Sequence, residues 1–243
     1  MAKTPKSIAI FGGSGTFAQA VSKRYLDVFP GATQDVFSRK SFYSNAYTPV
    51  THHHLDNYDE ANIKQACANI KPQRCFDIVL VATGLLHESG IQPEKSYNDI
   101  THDALLKLYE VNTIVPALIA KHTLPLLNQS HQSIFVALSA RVGSISDNRL
   151  GGWYAYRSSK AALNMLIKTM ALEAKRRHPQ AIICGYHPGT VDSPLSRPFQ
   201  RRIAQQQIFS PEYAAMRFLE VVHTLKESDS GKCLAWDRKE IAP

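Results

Sequence analysis

The chain has 243 residues, of which 44% are hydrophobic, and a formal net charge of +8 at pH 7. This length and hydrophobicity suit one α/β domain over residues 1–243 and exclude a disordered chain; no apolar run approaches the ~20 residues of a membrane span, and the start MAKTPK lacks the apolar region of a signal peptide. The four cysteines form no CxxC pair, which favours reduced thiols in the cytoplasm, and the basic residues form no stripe interleaved with aromatic residues, so we expect neither a membrane nor a nucleic-acid partner.

Short apolar segments alternate with helix-forming segments along the chain. This alternation predicts an α/β fold in which helices cover both faces of a doubly wound parallel sheet. Ligands bind such sheets at the carboxyl ends of the strands. The predicted strands are residues 7–11, 34–38, 50–55, 76–82, 132–139, 181–187 and 232–236, and the predicted helices are residues 16–29, 59–70, 101–127, 153–178 and 210–226.

A glycine-rich turn follows the first predicted strand directly. Gly12-Gly13-Ser14-Gly15-Thr16 comes after the apolar run Ser7 to Phe11 and opens a helix. Backbone N–H groups and the dipole of such a helix attract a pyrophosphate, and glycines let the backbone approach it. The spacing Gly13-x-Gly15-x-x-Ala18 matches the fingerprint of dinucleotide-binding proteins, in which alanine is allowed at the last position. The alternative is a plain flexible turn.

The end of the second predicted strand indicates which dinucleotide binds. Asp35-Val36-Phe37-Ser38 is followed by Arg39-Lys40. An acidic residue at this point would bond the ribose 2′-hydroxyl of NAD and repel a 2′-phosphate, whereas an arginine fork matches phosphate geometry. Because the strand ends in a hydroxyl and two cations, we expect NADP rather than NAD. The alternative is a solvated basic turn.

Three consecutive histidines, His52, His53 and His54, lie in the third predicted strand. Successive side chains of a strand alternate between its two faces, so three neighbours cannot easily converge on one ion. We therefore expect a structural role for these histidines and no metal site.

Tyr156 precedes Lys160 by four residues at the start of a long segment of strong helix formers. Residues four apart lie on the same face of a helix, so the phenol and the ammonium can share one site. A free tyrosine has a pKa of about 10, and a nearby cation favours the phenolate and lowers that pKa. The pair is therefore a candidate proton donor, with a solvated helix face as the alternative.

These features together resemble the short-chain dehydrogenase/reductase family, and within it the carbonyl-reductase-like branch that includes the C-factor signalling proteins. The resemblance covers nearly the whole chain and implies a Rossmann-like fold and an NADP-dependent oxidoreductase that acts on a carbonyl or alcohol substrate. We expect a homo-oligomer, either a dimer or a tetramer. The features, in chain order, are the loop Gly12 to Ala18, Asp56, Ala82-Thr83-Gly84, Asn112, Leu138 to Gly143, Tyr156 with Lys160, and Pro188 to Ser193.

The resemblance also implies a role for each of these residues. Tyr156 would give its proton to the substrate oxygen, Lys160 would hold the nicotinamide ribose, and Asn112 would support Lys160 through an ordered water. Asn112 could equally be a buried amide that is satisfied within its own helix. The candidate catalytic residues are Tyr156, Lys160, Asn112 and Ser139. The candidate cofactor-binding residues are Gly12, Ser14, Gly15, Thr16, Phe17, Ser38, Arg39, Asp56, Ala82, Thr83, Gly84, Tyr156, Lys160, Pro188, Gly189, Val191 and Ser193.

Three departures from the family pattern bear on activity. Thr16 stands where a glycine usually closes on the phosphates, so its side chain could crowd the cofactor or bond to it. The segment Val81 to Gly84 lacks the usual asparagines. The serine that usually polarises the substrate carbonyl is replaced by Ala140, with Ser139 and Ser144 as possible substitutes. Strand alternation argues against Ser139 and a local bulge would favour it, so the two serines stay nearly equal.

Two other functions are compatible with these departures. The chain could bind NADP yet turn over slowly as a sensor or a developmental signal, or it could be an oligomeric scaffold with a vestigial pocket. The presence of both Tyr156 and Lys160 favours an enzyme. The expected specificity segment, Pro194 to Ile208, mixes apolar and basic side chains and fits either an apolar or an anionic substrate.

Overall fold

Seven parallel strands form one sheet in the computed structural model, which describes residues 6–40, 50–70, 74–202 and 204–243. The sheet strands are β1 (Ser7–Phe11), β2 (Thr33–Ser38), β3 (Val50–His54), β4 (Ile78–Val81), β5 (Ser133–Leu138), β6 (Ala181–His187) and β9 (Cys233–Ala235). The sheet order is β3-β2-β1-β4-β5-β6-β9, so the chain crosses over between β3 and β4 and continues on the other side of β1. This is the doubly wound arrangement that the alternating sequence predicted.

Within the described residues, six α-helices connect the strands. Five helices were predicted, and the predicted helix 101–127 is interrupted by a π-helical turn, Glu110–Ile114. A π turn inserts one extra residue into a helix and often marks a functional position. The helices are α1 (Thr16–Val28), α2 (Glu60–Ala68), α3 (His102–Tyr109), α4 (Val115–Thr123), α5 (Tyr154–Arg177) and α6 (Pro211–His223).

The sheet has a hydrophobic core on each face. Alternate residues of β1 divide between them: Ile8 and Ile10 pack with α1 and α6, whereas Ala9 and Phe11 pack on the face covered by α2, α4 and α5. All five residues of β1 are buried, as expected for a central strand of a parallel sheet. The helices therefore hold the carboxyl ends of the central strands together at one edge.

Two further short strands lie beyond the carboxyl end of β6. β7 (Thr190–Val191) pairs in parallel with β8 (Ile208–Phe209), and two 3-10 segments, Arg197–Arg202 and Gln205–Gln207, lie between them. This pairing anchors both ends of the predicted specificity segment. It places that segment next to the loop that follows β6.

The three histidines of β3 have separate partners. His53 Nε2 lies 2.8 Å from Asp35 Oδ1, and its ring stacks on Phe37. His52 Nε2 lies 2.9 Å from Ser38 Oγ, and His54 Nε2 lies 3.3 Å from Asp56 Oδ1. Across the described ranges, no three His, Cys, Asp or Glu side chains are grouped so that they could hold a metal ion.

The four cysteines, Cys67, Cys75, Cys184 and Cys233, are free thiols, of which Cys75 is exposed. No helix in the part of the chain that the structure describes is both long and apolar enough to cross a bilayer.

Candidate active site

The glycine loop is held tightly between β2 and β4. Gly12 has a φ of +81°, and a Cβ there would lie 2.9 Å from the backbone of Ala82 and Thr83. The N–H groups of Gly12 and Gly13 both donate to Phe37 O, at 3.0 and 3.1 Å. Only glycine combines the left-handed φ with this close approach. The loop is therefore a fixed turn rather than a flexible one.

The start of α1 is suited to an anion. Thr16 is its first residue, Gly15 caps it without a side-chain hydrogen bond, and no acidic residue lies in the first turn. The first N–H groups of a helix have no partner within the helix, and the helix dipole makes that end positive. The predicted phosphate-binding residues Ser14, Gly15, Thr16 and Phe17 lie at this helix start.

The segment after β4 lies between the glycine loop and α5. Thr83 is buried, and its Oγ1 has no hydrogen-bond partner among the described residues. A Cβ at Gly84 would lie 3.7 Å from Asn112 Oδ1 and 3.9 Å from Lys160 Nζ. A buried hydroxyl without a partner costs free energy unless a ligand or water satisfies it. The predicted contacts of Ala82, Thr83 and Gly84 with a cofactor fit this arrangement.

Tyr156 and Lys160 share one face of α5, as their spacing predicts. Lys160 is 2% exposed, and its Nζ lies 5.9 Å from the centre of the Tyr156 ring. Nζ donates a hydrogen bond of 2.8 Å to Leu138 O at the end of β5. The structure therefore brings the proposed proton donor and its cation together at the carboxyl edge of the sheet.

Burial dominates the protonation of this pair. It raises the pKa of Tyr156 to about 12 and lowers the pKa of Lys160 to about 8. The lowering of the tyrosine pKa that the sequence predicted is absent in the protein alone, because the low-dielectric surroundings disfavour both charged forms. Tyr156 is therefore fully protonated at neutral pH.

Asn112 lies in the π turn, and its amide is fully satisfied. Its Oδ1 accepts from Leu85 N at 2.9 Å, and its Nδ2 donates to Leu85 O at 2.8 Å and to Ser159 Oγ at 3.2 Å. These partners lie outside its own helix, so satisfaction within the helix, the alternative reading, is wrong. Asn112 connects the segment after β4 to α5 beside Lys160.

The two candidate serines have partners away from Tyr156. Ser139 Oγ donates to Asn164 Oδ1 at 2.6 Å, and Ser144 Oγ accepts from Asp147 N at 3.1 Å. No hydrogen bond joins either hydroxyl to Tyr156 in the described ranges. Ala140, at the usual serine position, is buried with an extended backbone.

The end of β2 is only partly available to a ligand. Ser38 is buried, and its hydroxyl donates to Lys40 O at 2.6 Å and contacts His52. Arg39 is exposed. Asp56, the expected adenine contact, has a side chain that is 83% exposed and lies near His54. Arg39 and Asp56 are thus free to meet a ligand, whereas the Ser38 hydroxyl is already engaged.

Aromatic side chains pack closely against the loop that follows β6. Gly189 has a φ of +78°, and a Cβ there would lie 2.5 Å from the Phe209 ring. Pro188 precedes it, Val191 is buried, and the backbone N–H of Ser193 donates to Ser196 Oγ at 3.3 Å. The predicted cofactor-binding loop, Pro188 to Ser193, is therefore packed against Phe209.

Sequence reasoning missed an aromatic cluster beside Tyr156. The Trp153 ring lies 6.3 Å from the Tyr156 ring and 5.1 Å from that of Phe199, measured between ring centres. Phe199 also contacts His87 at 5.4 Å, and His87 Nε2 lies 3.3 Å from Pro194 O. These residues come from three separate segments, so no local pattern could have grouped them.

Tyr58 was also missed. Its hydroxyl accepts from Gly12 N at 2.8 Å and donates to Phe37 O at 3.1 Å, and burial raises its pKa to about 12. Tyr58 therefore supports the glycine loop from beneath. Its spacing of two residues from Asp56 gives no sign of this contact.

The chain matches the family model described as short chain dehydrogenase over residues 6–204 and belongs to that family of oxidoreductases. It is 28% identical over 148 residues to a 1-hydroxy-2-glutathionyl-2-methyl-3-butene dehydrogenase from Rhodococcus sp. (strain AD45), and the match spans 61% of this chain but only 62% of that relative. It is 30% identical over 143 residues to the C-signal of Myxococcus xanthus, covering 59% of this chain and 81% of that one.

Solved structures of carbonyl reductases have the same fold. The carbonyl reductase Sniffer of D. melanogaster superposes with a TM-score of 0.85 at 20% identity, covering 98% of this chain and 99% of that one. An NADPH-bound carbonyl reductase from chicken fatty liver gives a TM-score of 0.82 at 21% identity, with 98% and 99% coverage. At these identities the likeness concerns the fold alone.

Proposed function

We propose that this protein is an NADP(H)-dependent oxidoreductase that transfers hydride between the nicotinamide and a carbonyl or alcohol substrate, with Tyr156 as the general acid and base. The observation that carries the proposal is the pairing of half-buried Tyr156 with buried Lys160, whose Nζ lies 5.9 Å from the centre of the tyrosine ring. Perturbed titratable groups in a cleft are characteristic of catalytic sites.

The residues around the glycine loop fit a dinucleotide. The uncapped start of α1 would take the pyrophosphate, and the orphaned hydroxyl of buried Thr83 would bond to the cofactor. Exposed Arg39 would meet the 2′-phosphate that distinguishes NADP, and Asp56 would face the adenine. Lys160 would hold the nicotinamide ribose, with Pro188, Gly189, Val191 and Ser193 along the nicotinamide side.

The protein's own contribution is proton transfer and placement. When bound, NADPH would supply the hydride that reduces the carbonyl carbon. The Tyr156 hydroxyl would give its proton to the developing alkoxide, and its high pKa keeps that proton in place until the oxygen becomes basic. Lys160 would then stabilise the phenolate, while Asn112 keeps the start of α5 in register with the segment after β4.

Both candidate donors for the substrate carbonyl are engaged in other hydrogen bonds. To donate to the substrate, the Ser139 hydroxyl would have to release Asn164 Oδ1, and the Ser144 hydroxyl would have to release Pro243 O, to which it donates at 3.5 Å. The aromatic rings of Trp153 and Phe199 favour a carbonyl substrate with an apolar, planar part, because such a group gains from stacking and from burial.

A second function has its own support. Ala140 in place of the usual serine and the 30% identity to the C-signal of Myxococcus xanthus favour an NADP-binding sensor or signalling protein with little turnover. This candidate predicts cofactor binding without reduction of added carbonyl compounds. A vestigial scaffold would show neither.

The proposed function is tested by calorimetric titration with NADPH together with a panel of aldehydes, ketones and quinones. Binding with turnover supports the enzyme, and binding without turnover supports the sensor. Tyr156→Phe is the key variant, since it removes one hydroxyl and little volume. It should abolish reduction and leave NADPH affinity within a few-fold; unchanged turnover would show that Tyr156 is not the acid.

A further inference from the structure

Helix α5, which carries Tyr156, begins without a cap of its own. Its N-cap residue is Trp153, whose side chain makes no hydrogen bond to the helix, and its first turn has no acidic residue. The first N–H groups of a helix need partners, and the positive end of its dipole favours an anion. Both requirements must be met from elsewhere in the chain.

Glu94, which precedes Ala155 by 61 residues, provides both the hydrogen-bond acceptor and the negative charge. Its side chain is buried, at 4% exposure, and its two carboxylate oxygens accept from Ala155 N at 3.2 and 3.3 Å. Its backbone carbonyl accepts from Trp153 N at 2.6 Å. A buried carboxylate is costly unless it is hydrogen-bonded, so these contacts fix the position of the helix start.

The same residue holds a strained turn in place. Gly151, Gly152 and Trp153 all have left-handed backbones, with φ of 62°, 65° and 53°. A large side chain in this region persists only where its surroundings enforce it. A Cβ at Gly152 would lie 3.2 Å from Glu94 O, so this turn is packed directly on Glu94. The conformation of this turn places the Trp153 ring beside Tyr156.

We propose that Glu94 is a positioning residue for the reaction: it sets the start of α5 and the left-handed Trp153, and through them the placement of the Tyr156 hydroxyl at the substrate. This inference rests on the proposed role of Tyr156. Glu94 acts through the helix and does not touch the reacting atoms.

The test compares Glu94→Ala with Glu94→Gln in a Trp236→Phe background, in which Trp153 is the one remaining tryptophan. Glu94→Gln keeps a hydrogen-bond acceptor of the same shape for Ala155 N. Ser210→Ala is the matched control, because Ser210 caps a different helix, α6, through Tyr213 N at 3.1 Å. The measurements are kcat with 4-nitrobenzaldehyde and menadione, NADPH affinity by titration, and Trp153 fluorescence.

We expect Glu94→Ala to lower kcat about tenfold to a hundredfold, since a misplacement of ~1 Å can cost about 10²-fold. NADPH affinity should stay within about threefold, because the substitution leaves the residues expected to bind the cofactor phosphates unchanged. Trp153 emission should shift to longer wavelength as the turn relaxes. Glu94→Gln should recover most of kcat and the emission, and Ser210→Ala should match the parent.

Three results would overturn the inference. If Tyr156→Phe is inactive but Glu94→Ala keeps parental kcat, Glu94 does not position the site. If Glu94→Ala loses NADPH affinity by the same factor as kcat, Glu94 contributes to folding in general rather than to positioning. The same conclusion follows if Ser210→Ala lowers kcat as much as Glu94→Ala does. If the parent reduces no member of the aldehyde, ketone and quinone panel, or Tyr156→Phe stays active, the proposed function fails and removes the basis of the positioning role.

Discussion

Gly143 and Lys160 lie closer together than two residues with side chains could. A Cβ at Gly143 would lie 2.9 Å from both the backbone carbon and the Cβ of Lys160. The loop after β5 is therefore pressed against α5 at Lys160, the residue proposed to carry the catalytic cation. Lys160 Nζ also donates a hydrogen bond to Leu138 O at the end of β5. The end of β5, the loop that follows it and α5 are therefore all in contact at Lys160.

Gly143→Ala should therefore disturb both stability and the site. Overpacking of a well-packed position costs about 1–3 kcal/mol, and here the clash is with backbone atoms that cannot rotate away. We expect a loss of that size in urea unfolding and a fall in turnover, because Lys160 is displaced. Gly31→Ala is the control: nothing lies within 4 Å of its Cβ position, so its effect should stay below about 1 kcal/mol. Equal stability of the two variants would contradict the close packing.

Lys160 should give the protein a characteristic dependence of stability on pH. Its pKa is lowered by burial from the ordinary 10.5 to about 8, so between these values the unfolded chain binds more protons than the folded one. Stability from this group therefore rises with pH across that window, by about 3 kcal/mol.

Urea unfolding of the wild type and of Lys160→Met between pH 7.5 and 10.5 tests this expectation. As pH rises, the free energy of unfolding of the wild type should increase relative to that of the variant, because the other titrating groups are common to both proteins. Parallel pH profiles would show that Lys160 is not buried as a charged group at neutral pH.

Arg39 should decide between the two dinucleotides. It is exposed at the end of β2, where a 2′-phosphate would lie. A charge-assisted contact of this kind is worth roughly 1.5–3 kcal/mol, or about ten- to a hundredfold in affinity. Arg39→Asp should therefore weaken NADPH binding by that factor and bring NADH affinity up toward it, as measured by calorimetry. Wild-type protein that binds NADH as tightly as NADPH would contradict this assignment.

Ala140→Ser should raise turnover. The Ser139 hydroxyl donates to Asn164 Oδ1 and the Ser144 hydroxyl donates to Pro243 O, so the substrate carbonyl lacks an evident donor. Loss of one preorganised donor elsewhere has cost ~10²–10³ in kcat, and its restoration should recover part of that. Ser139→Ala and Ser144→Ala should change kcat little. A large loss in either variant would identify that serine as the donor and would mean that its hydroxyl reorients when substrate binds.

The strand and helix order could be predicted from the sequence alone, because apolar runs and helix-forming segments differ in periodicity over short distances. The seven sheet strands lie within three residues of their predicted ends. The pairing of Tyr156 with Lys160 was also predictable, since a spacing of four places two residues on the same face of any helix. The glycine loop followed from its position directly after β1.

Only the tertiary structure decided how those parts act together. Glu94 reaches the start of α5 from a distant loop, and Asn112 is satisfied by Leu85 from another. The departure of the Tyr156 pKa from the predicted direction has the same origin, because burial depends on the whole packed site rather than on the neighbouring lysine. Local patterns in a chain specify backbone conformation, whereas hydrogen-bond partners and dielectric surroundings are set by residues far apart in sequence that packing brings into contact.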